Sequence, residues 1–169
     1  MSTQSTGLRL FWTEFRENKA ALLALVVVIL MILLALFASL ISPQNPYDLA
    51  NLSLMDSRRP PGFVGSGGYT HLLGTDPQGR DLLSAIFYGL RISIQIGLAA
   101  GFVSLTIGTA LGITAAYLGG RVEALIMRLI DLQLSFPAIL LALVIVALLG
   151  QGKAQLIGAL VAAQYAYFA

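Results

Sequence analysis

One feature restricts the fold of this chain more than any other: residues 20–41 contain no charged side chain. An α-helix of about 22 residues rises roughly 33 Å, which matches a bilayer core of about 30 Å. Arg9, Arg16 and Lys19 precede this run, as basic residues do in a signal peptide. The apolar region of a signal peptide, however, is typically only about 7–15 residues long. We therefore predict an uncleaved transmembrane helix.

The composition extends this interpretation to the whole chain. Of its 169 residues, 57% are hydrophobic and 11% are charged, against about 45–50% and about 25% in soluble domains. A net charge of +2 is too small to favour a nucleic-acid partner, which requires clustered Lys and Arg. Cysteine is absent, so a disulfide framework, a thiolate metal site and a cysteine nucleophile are excluded.

Three regions follow the first helix. Residues 42–91 are rich in proline, glycine and acidic side chains, which predicts an external segment with an interfacial elbow helix. The apolar runs 92–118 and 132–149 predict two more transmembrane helices. A last apolar run, 156–169, would span only roughly 21 Å, so we expect the front portion of a longer protein. The predicted fold is all-α: a polytopic membrane helical bundle with three full transmembrane helices plus the start of a fourth.

The distribution of basic residues predicts the orientation. Three of them lie within residues 1–19, whereas the first ones after the first helix are the distant pair Arg58 and Arg59. Basic residues are enriched on the cytoplasmic side of membrane helices. Residues 1–19 are therefore predicted to be a cytoplasmic tail, and the protein a multi-pass component of the cytoplasmic membrane.

The most organised part of the external segment is HLLGTDPQGRD, residues 71–81. Asp76 before Pro77 predicts a helix N-cap with proline at the first helical position. Asp76 and Arg80 would lie one turn apart and pair. The helix would continue with an apolar face suited to the membrane surface, formed by Leu82, Leu83, Ile86 and Phe87. His71 is the only histidine, which argues against a metal site or a catalytic role.

Small residues mark one face of the second apolar run. They recur at intervals of three or four, and the stripe consists of Gly97, Gly101, Ser104, Gly108 and Gly112. At about 100° per residue they share one side of a helix. Such stripes let helices approach closely in lipid, and a bare face also makes room for a substrate. The sequence leaves both interpretations, helix packing and pathway lining, open.

The third apolar run contains Pro137. We expect the charged turn after residues 119–120 and the run itself to form one helix, bent at Pro137 because proline removes a backbone donor. Arg128 and Asp131 are three residues apart at its cytoplasmic end. They are interpreted as interface charges, with a buried ion pair as the alternative.

These motifs together resemble the dipeptide and oligopeptide permease family of ABC importers. The resemblance runs through HLLGTDPQGRD at 71–81, YGLRIS at 88–93, AYLGG at 116–120, MRLID at 127–131 and Pro137. Its most specific element is the signature loop, Gly74, Thr75, Asp76, Gly79, Arg80 and Asp81. The family resemblance implies that residues 92–169 begin the permease transmembrane domain.

The resemblance also implies a function and its partners. The chain would form part of the translocation pathway for peptides or related small solutes, together with a second permease subunit, two cytoplasmic ATP-binding subunits and an extracytoplasmic solute-binding protein. The sequence contains no Gly-x-x-x-x-Gly-Lys-[Ser/Thr] phosphate loop, so no enzymatic activity, catalytic residue, metal or cofactor is predicted. The family's Glu-Ala-Ala loop, which docks on the ATPase, is absent from these residues, and we expect the chain alone not to couple to ATP hydrolysis.

Two other classes of function were compared with transport. A membrane anchor or assembly protein would use the small-residue stripe to bind a partner and would have no transport activity. An intramembrane enzyme would require paired ionisable residues at membrane depth, but 92–118 and 132–149 contain no Asp, Glu, Lys or Arg. The substrate is left open among dipeptides, oligopeptides, nickel complexes and other solutes.

Overall fold

The computed structural model describes residues 7–150 and 152–169. This part of the chain is mostly helical, as predicted. Its α-helices are α1 Gly7–Glu17, α2 Lys19–Leu36, α3 Ala38–Ile41, α4 Leu82–Leu118, α5 Gly120–Leu134, α6 Ala138–Leu149 and α7 Lys153–Gln164. Short 3-10 turns occur at Leu49–Asn51, Leu54–Asp56 and Tyr165–Phe168. The strands β1 Phe63–Val64 and β2 Thr70–His71 pair antiparallel.

Within these described residues, two helices, α2 and α4, are long and apolar enough to cross a bilayer, and the bent pair α5–α6 makes a third candidate if it counts as one span. The chain is therefore a helical membrane protein. It divides after Ile92 into two compact units. The first contains α1, α2, α3, the inter-helix segment (residues 42–81) and the start of α4; the second contains the rest of the chain.

The tail before the first span contains a helix of its own. Helix α1 ends at Glu17, and Asn18 then caps α2, because its side-chain oxygen accepts the N–H groups of Ala20 and Ala21 at 3.1 and 3.2 Å. Asn is among the preferred N-cap residues for this reason. Helix α2 continues to Leu36 and, after an interruption at Phe37, the short α3 reaches Ile41.

The predicted start of the elbow helix is wrong. Residues 77–79 form a turn, and the helix begins at Leu82, with Asp81 as the residue before it. Asp76 does cap, but it caps this turn, because its Oδ1 accepts the N–H groups of Gln78 and Arg80 at 2.8 and 2.9 Å. Helix α4 then runs without a break for 37 residues, roughly 55 Å, so it exceeds the bilayer core by many residues. Within the described residues, no separate elbow helix precedes it.

The single helix expected around Pro137 is two helices. Helix α5 ends at Leu134, α6 begins at Ala138, and their axes differ by 85°. Pro137 precedes the first residue of α6, where its missing N–H breaks no helical bond. The Asp131 carbonyl at the end of α5 accepts both the N–H of Ser135, at 3.0 Å, and its hydroxyl, at 2.8 Å. The break is therefore a helix end followed by a new start.

Candidate functional site

Asp81 is the centre of the polar core of the inter-helix segment. Its Oδ1 lies 3.0 Å from His71 Nδ1, and its Oδ2 accepts both the N–H and the hydroxyl of Ser84 at 2.7 Å. Its backbone N–H donates to Gln44 Oε1 at 2.7 Å. These contacts join β2, the chain after α3 and the first turn of α4. Asp81 thus links three separated parts of the chain.

His71 is buried to the same degree as its partner, since the two side chains are each 1% exposed. A carboxylate can only accept, so Nδ1 carries the hydrogen and donates it to Asp81. The ring stacks on Phe63 at 6.4 Å between centroids and meets the edge of Tyr69 at 5.0 Å. Burial, followed by the charges of Asp81 and Asp56, raises the pKa of the Tyr69 phenol. His71 therefore fills the core beneath the β1–β2 hairpin.

Asp56 and Thr75 form a second polar group in the segment. Asp56 Oδ2 accepts the N–H and the hydroxyl of Ser66 at 2.9 and 2.6 Å. The side-chain hydrogen bond from Ser66, followed by the backbone one, lowers the pKa of Asp56 below its usual range. The Thr75 hydroxyl donates to the Asp56 carbonyl and accepts the Arg59 N–H at 2.8 Å. Thr75 thereby fixes the turn in which Arg58 adopts a φ of +53°.

The predicted pair of Asp76 and Arg80 is confirmed, at 2.9 Å between Arg80 Nε and Asp76 Oδ2. Burial favours a higher pKa for the Asp76 carboxyl, but hydrogen bonds from Arg80 and Gln78 outweigh it, so that pKa is lowered. The Asp76 carbonyl also accepts the Arg58 N–H at 3.1 Å. The side-chain pair closes one turn of the signature loop, and the hydrogen bond to the Asp76 carbonyl connects this turn to Arg58.

Both glycine positions of the signature loop require glycine, because the backbone conformation is left-handed and because there is no room for a Cβ atom. Gly74 and Gly79 have φ values of +81° and +76°, a region that costs other residues about 1–2 kcal/mol. A Cβ at Gly74 would lie 2.5 Å from the Arg59 carbonyl oxygen, and one at Gly79 would collide with the Ser53 carbonyl oxygen. The loop therefore lies directly against the backbone of residues 53–60.

Ser84, His71 and Asp81 lie close together, and their hydrogen bonds show how the three side chains are connected. Ser84 Oγ donates to Asp81, and within the described residues no hydrogen bond joins it to His71, so the three side chains do not form a proton relay from nucleophile to base. Among the described residues, no hydrogen bond reaches His71 Nε2, which is buried beside Gly65. The same part of the chain holds no group of three or more His, Cys, Asp or Glu side chains that could bind a metal.

The small-residue stripe of α4 divides into two halves. A Cβ at Gly108 would collide with the Tyr165 carbonyl oxygen and lie 2.6 Å from Phe168 Cβ, and one at Gly112 would lie 2.5 Å from the Ala169 carbonyl oxygen. A Cβ at Gly97 or Gly101 would meet nothing within 4 Å. Ser104 lies between the two halves, fully buried.

The charges predicted for the cytoplasmic end of α5 do not pair. Arg128 and Asp131 are both exposed, and within the described residues no ion pair joins them. A different polar residue of α5 makes an interhelical contact, since the Gln133 side-chain amide donates to the Ala162 carbonyl of α7. Sequence reasoning missed Gln133, because nothing in the sequence shows which carbonyl lies beside it.

Known proteins resemble this chain over most of its length. A profile for the N-terminal TM domain of oligopeptide transport permease C matches residues 6–61. The dipeptide transport system permease protein DppC of Haemophilus influenzae is 38% identical over 144 residues, 85% of this chain and 48% of that protein. The di/tripeptide permease DppC of Pseudomonas aeruginosa is 41% identical over 145 residues, 86% of this chain and 47% of that protein.

The chain belongs to the dipeptide and oligopeptide permease family. The glutathione transport system permease protein GsiD of Pectobacterium atrosepticum is a further relative, 35% identical over 153 residues, 90% of this chain and 48% of that protein. The chain spans about half the length of the curated relatives that it matches.

Several residues that build this permease-family segment were not singled out by sequence reasoning. They are Gln44, Asp56, Ser66 and Ser84, and His71 was considered only as a catalytic or metal residue. Only Ser84 carried a usable signal, because a serine three residues after Asp81 is close enough to bond to an N-cap carboxylate. The others lie 10 to 37 residues from the atoms they contact.

Proposed function

We propose that this chain forms part of the translocation pathway of an ABC importer for peptides or related small solutes, powered by separate ATPase subunits. The observation that carries the proposal is the similarity of the chain to transport permeases over 85% to 90% of its length. The relatives are peptide or glutathione transport permeases. The signature loop, by which the sequence resembles that family, makes hydrogen bonds and tight backbone approaches within the inter-helix segment.

The proposed partners follow from this function. A second permease subunit would complete the pathway, two cytoplasmic ATP-binding subunits would drive it, and an extracytoplasmic solute-binding protein would deliver the substrate. The relatives' names favour di- and tripeptides and glutathione as the substrate class.

Uptake measurements test the proposal directly. A strain lacking the gene should lose accumulation of a labelled dipeptide, tripeptide or glutathione, and the natural gene on a plasmid should restore it. Affinity purification of the natural gene product should recover an ATPase subunit and a second permease subunit. Normal uptake of all three solutes in the deletion strain, with no ATPase recovered, would favour an anchor or assembly role instead.

We further propose that the N-terminus is cytoplasmic, that residues 42–81 lie outside, and that α5 and α6 together make the third span. Since the chain contains no cysteine, single cysteines give a clean test with a membrane-impermeant maleimide. In intact cells, Thr70→Cys and Lys153→Cys should react, whereas Glu17→Cys and Glu123→Cys should react only after lysis.

The same four variants distinguish the two interpretations of the 85° break. If α5 and α6 form a re-entrant loop, the cysteines at positions 123 and 153 will lie on the same side of the membrane. If the pair is one span, they will lie on opposite sides. Reaction of the cysteine at position 17 in intact cells would contradict the proposed orientation.

A further inference from the structure

Helix α1 presents an aromatic face that the chain itself leaves uncovered. Phe15 stacks with Phe11 at 6.0 Å and with Trp12 at 5.8 Å between ring centroids. Even so, Phe11 is 62% and Trp12 53% exposed. At about 100° per residue, Phe11, Trp12 and Phe15 occupy roughly one third of the helix circumference. An exposed aromatic cluster of this kind requires something to cover it.

The position of α1 in the chain identifies what covers it. Only Asn18 separates the last residue of α1 from the first residue of α2, which is a candidate membrane span. Because α2 enters the bilayer, α1 is held within a few ångström of the lipid headgroups. Its 11 residues rise only roughly 16 Å, too little to cross a bilayer.

The basic side chains next to the aromatic face fit a lipid surface as well, since the acidic residues of α1, Glu14 and Glu17, lie about 60° and 120° outside that face. Arg16 follows Trp12 by four residues, so the two lie on neighbouring stripes of the helix, about 40° apart. Lys19 follows at the junction with α2, and both basic side chains are exposed. Long basic side chains extend to phosphates while their stems lie along apolar groups. Tryptophan is enriched at the same depth of the membrane.

We propose that α1 lies on the bilayer surface, with Phe11, Trp12 and Phe15 inserted at the boundary between headgroups and acyl chains and with Arg16 and Lys19 at anionic lipid phosphates. The helix then serves as an interfacial anchor that fixes the depth at which α2 enters the membrane. This inference goes beyond transport and does not depend on it, because it concerns lipid binding by one helix.

Trp12 provides a direct test, because it is the only tryptophan in the chain. The full chain is reconstituted into vesicles of phosphatidylcholine and phosphatidylglycerol in equal amounts. Its fluorescence is compared with and without iodide, and with lipids brominated near the headgroup or near the chain ends. We expect emission shifted to the blue of water-exposed indole, quenching by iodide reduced severalfold, and stronger quenching by shallow than by deep bromines.

Variants on opposite faces of the helix provide the matched control. Phe15→Ser should shift Trp12 emission to the red and increase iodide quenching. Leu10→Ser removes an apolar side chain that is also exposed, at 52%, but lies on the other side of the helix, and it should leave both signals unchanged. Arg16→Gln should reduce the difference between anionic vesicles and vesicles of pure phosphatidylcholine. An equal effect of the Leu10 and Phe15 substitutions would overturn the assignment of the face.

Two results would overturn the proposal as a whole. Emission like that of indole in water, with free access for iodide, would show that the aromatic face does not enter lipid. Emission protected from iodide but unaffected by bromine at either depth would show that the face is covered by protein. Neither result would alter the uptake and copurification tests, so this proposal and the proposed function fail independently.

Discussion

The signature loop of the inter-helix segment and the small-residue stripe of α4 differ in how many of their residues make close contacts within this chain. Arg80 pairs with Asp76 inside the loop, and the other five residues of the loop contact other parts of the same segment through a hydrogen bond or a tight backbone approach. On the stripe, Gly108 and Gly112 approach residues 165–169, whereas Gly97 and Gly101 approach nothing within 4 Å of a Cβ position.

This difference separates two kinds of constraint. A residue that is fully engaged within the chain must be kept for the chain to fold, whatever the chain does. A small residue with open space beside it is not required for folding by any contact in the described residues. Such a residue is available for a lipid, another subunit or a solute, so substitutions should separate the two effects.

The largest effect is expected for Asp81→Ala. The substitution leaves His71 Nδ1 and the two Ser84 donors buried without an acceptor, which costs on the order of 3 kcal/mol of local stability. Hydrogen exchange of the peptides covering 63–84 in detergent should show the loss as reduced protection. Asp131→Ala removes an exposed carboxylate and should leave that protection unchanged. Protection that survives the Asp81 substitution would refute the central place given to this residue.

Glycine substitutions come next and separate collision from backbone strain. Gly68 and Gly79 have nearly the same φ, +77° and +76°, so alanine is strained at both by about 1–2 kcal/mol. Only at Gly79 does the new Cβ also collide with the Ser53 carbonyl oxygen, while at Gly68 it meets nothing within 4 Å. The midpoint temperature of thermal unfolding should therefore fall more in Gly79→Ala than in Gly68→Ala. Equal losses would mean that the loop can move away from residue 53.

On the stripe, Gly108→Ala should destabilise by about 1–3 kcal/mol, as overpacking does, because the Cβ collides with residues 165–168. Gly101→Ala should be nearly neutral in a thermal unfolding assay of the same preparation. The informative variant is Gly101→Leu, which should leave the chain folded but reduce peptide uptake if a subunit or a solute occupies the open half. Normal uptake in Gly101→Leu would leave lipid as the occupant.

The sequence predicted the local features of these regions and missed the long-range ones. The Asp76–Arg80 pair needed only a spacing of four, whereas Pro137 predicted a bend within one helix and the structure has two separate helices there. The start of α4 was predicted five residues too early, because an Asp-Pro pair can cap a turn as well as a helix. Gly79, in the left-handed conformation, ends that turn before a helix forms.

The polar core was beyond local reasoning for a physical reason. Gln44 reaches Asp81 across 37 residues of sequence, and His71, at the end of β2, reaches it across the signature loop. A buried donor or acceptor is recognisable only when the chain that excludes water from it has been folded. His71 therefore looked like an isolated residue without a partner, although its buried partner lies only ten positions later.

The smallest effect on the stability of the inter-helix segment is expected when the pH is lowered. The lowered pKa of Asp56 means that the folded segment binds this proton less readily than the unfolded chain does. The resulting stability is fully present above the ordinary Asp pKa of about 3.8 and is lost as the pH falls through the lowered value. Resistance of residues 53–71 to pepsin, a protease active in acid, should decline across this range.

Ser66→Ala removes the hydroxyl that contributes most to that lowered pKa, so the loss of stability in acid should be smaller and should end at higher pH, with a stability change below about 1 kcal/mol. Ser57→Ala is the matched control, because its hydroxyl donates at 2.9 Å to the Pro77 carbonyl and not to a carboxylate. It should weaken the segment equally at every pH. If both variants show the same pH profile as the natural chain, then the hydrogen bonds of Ser66 to Asp56 do not control the acid sensitivity of the segment.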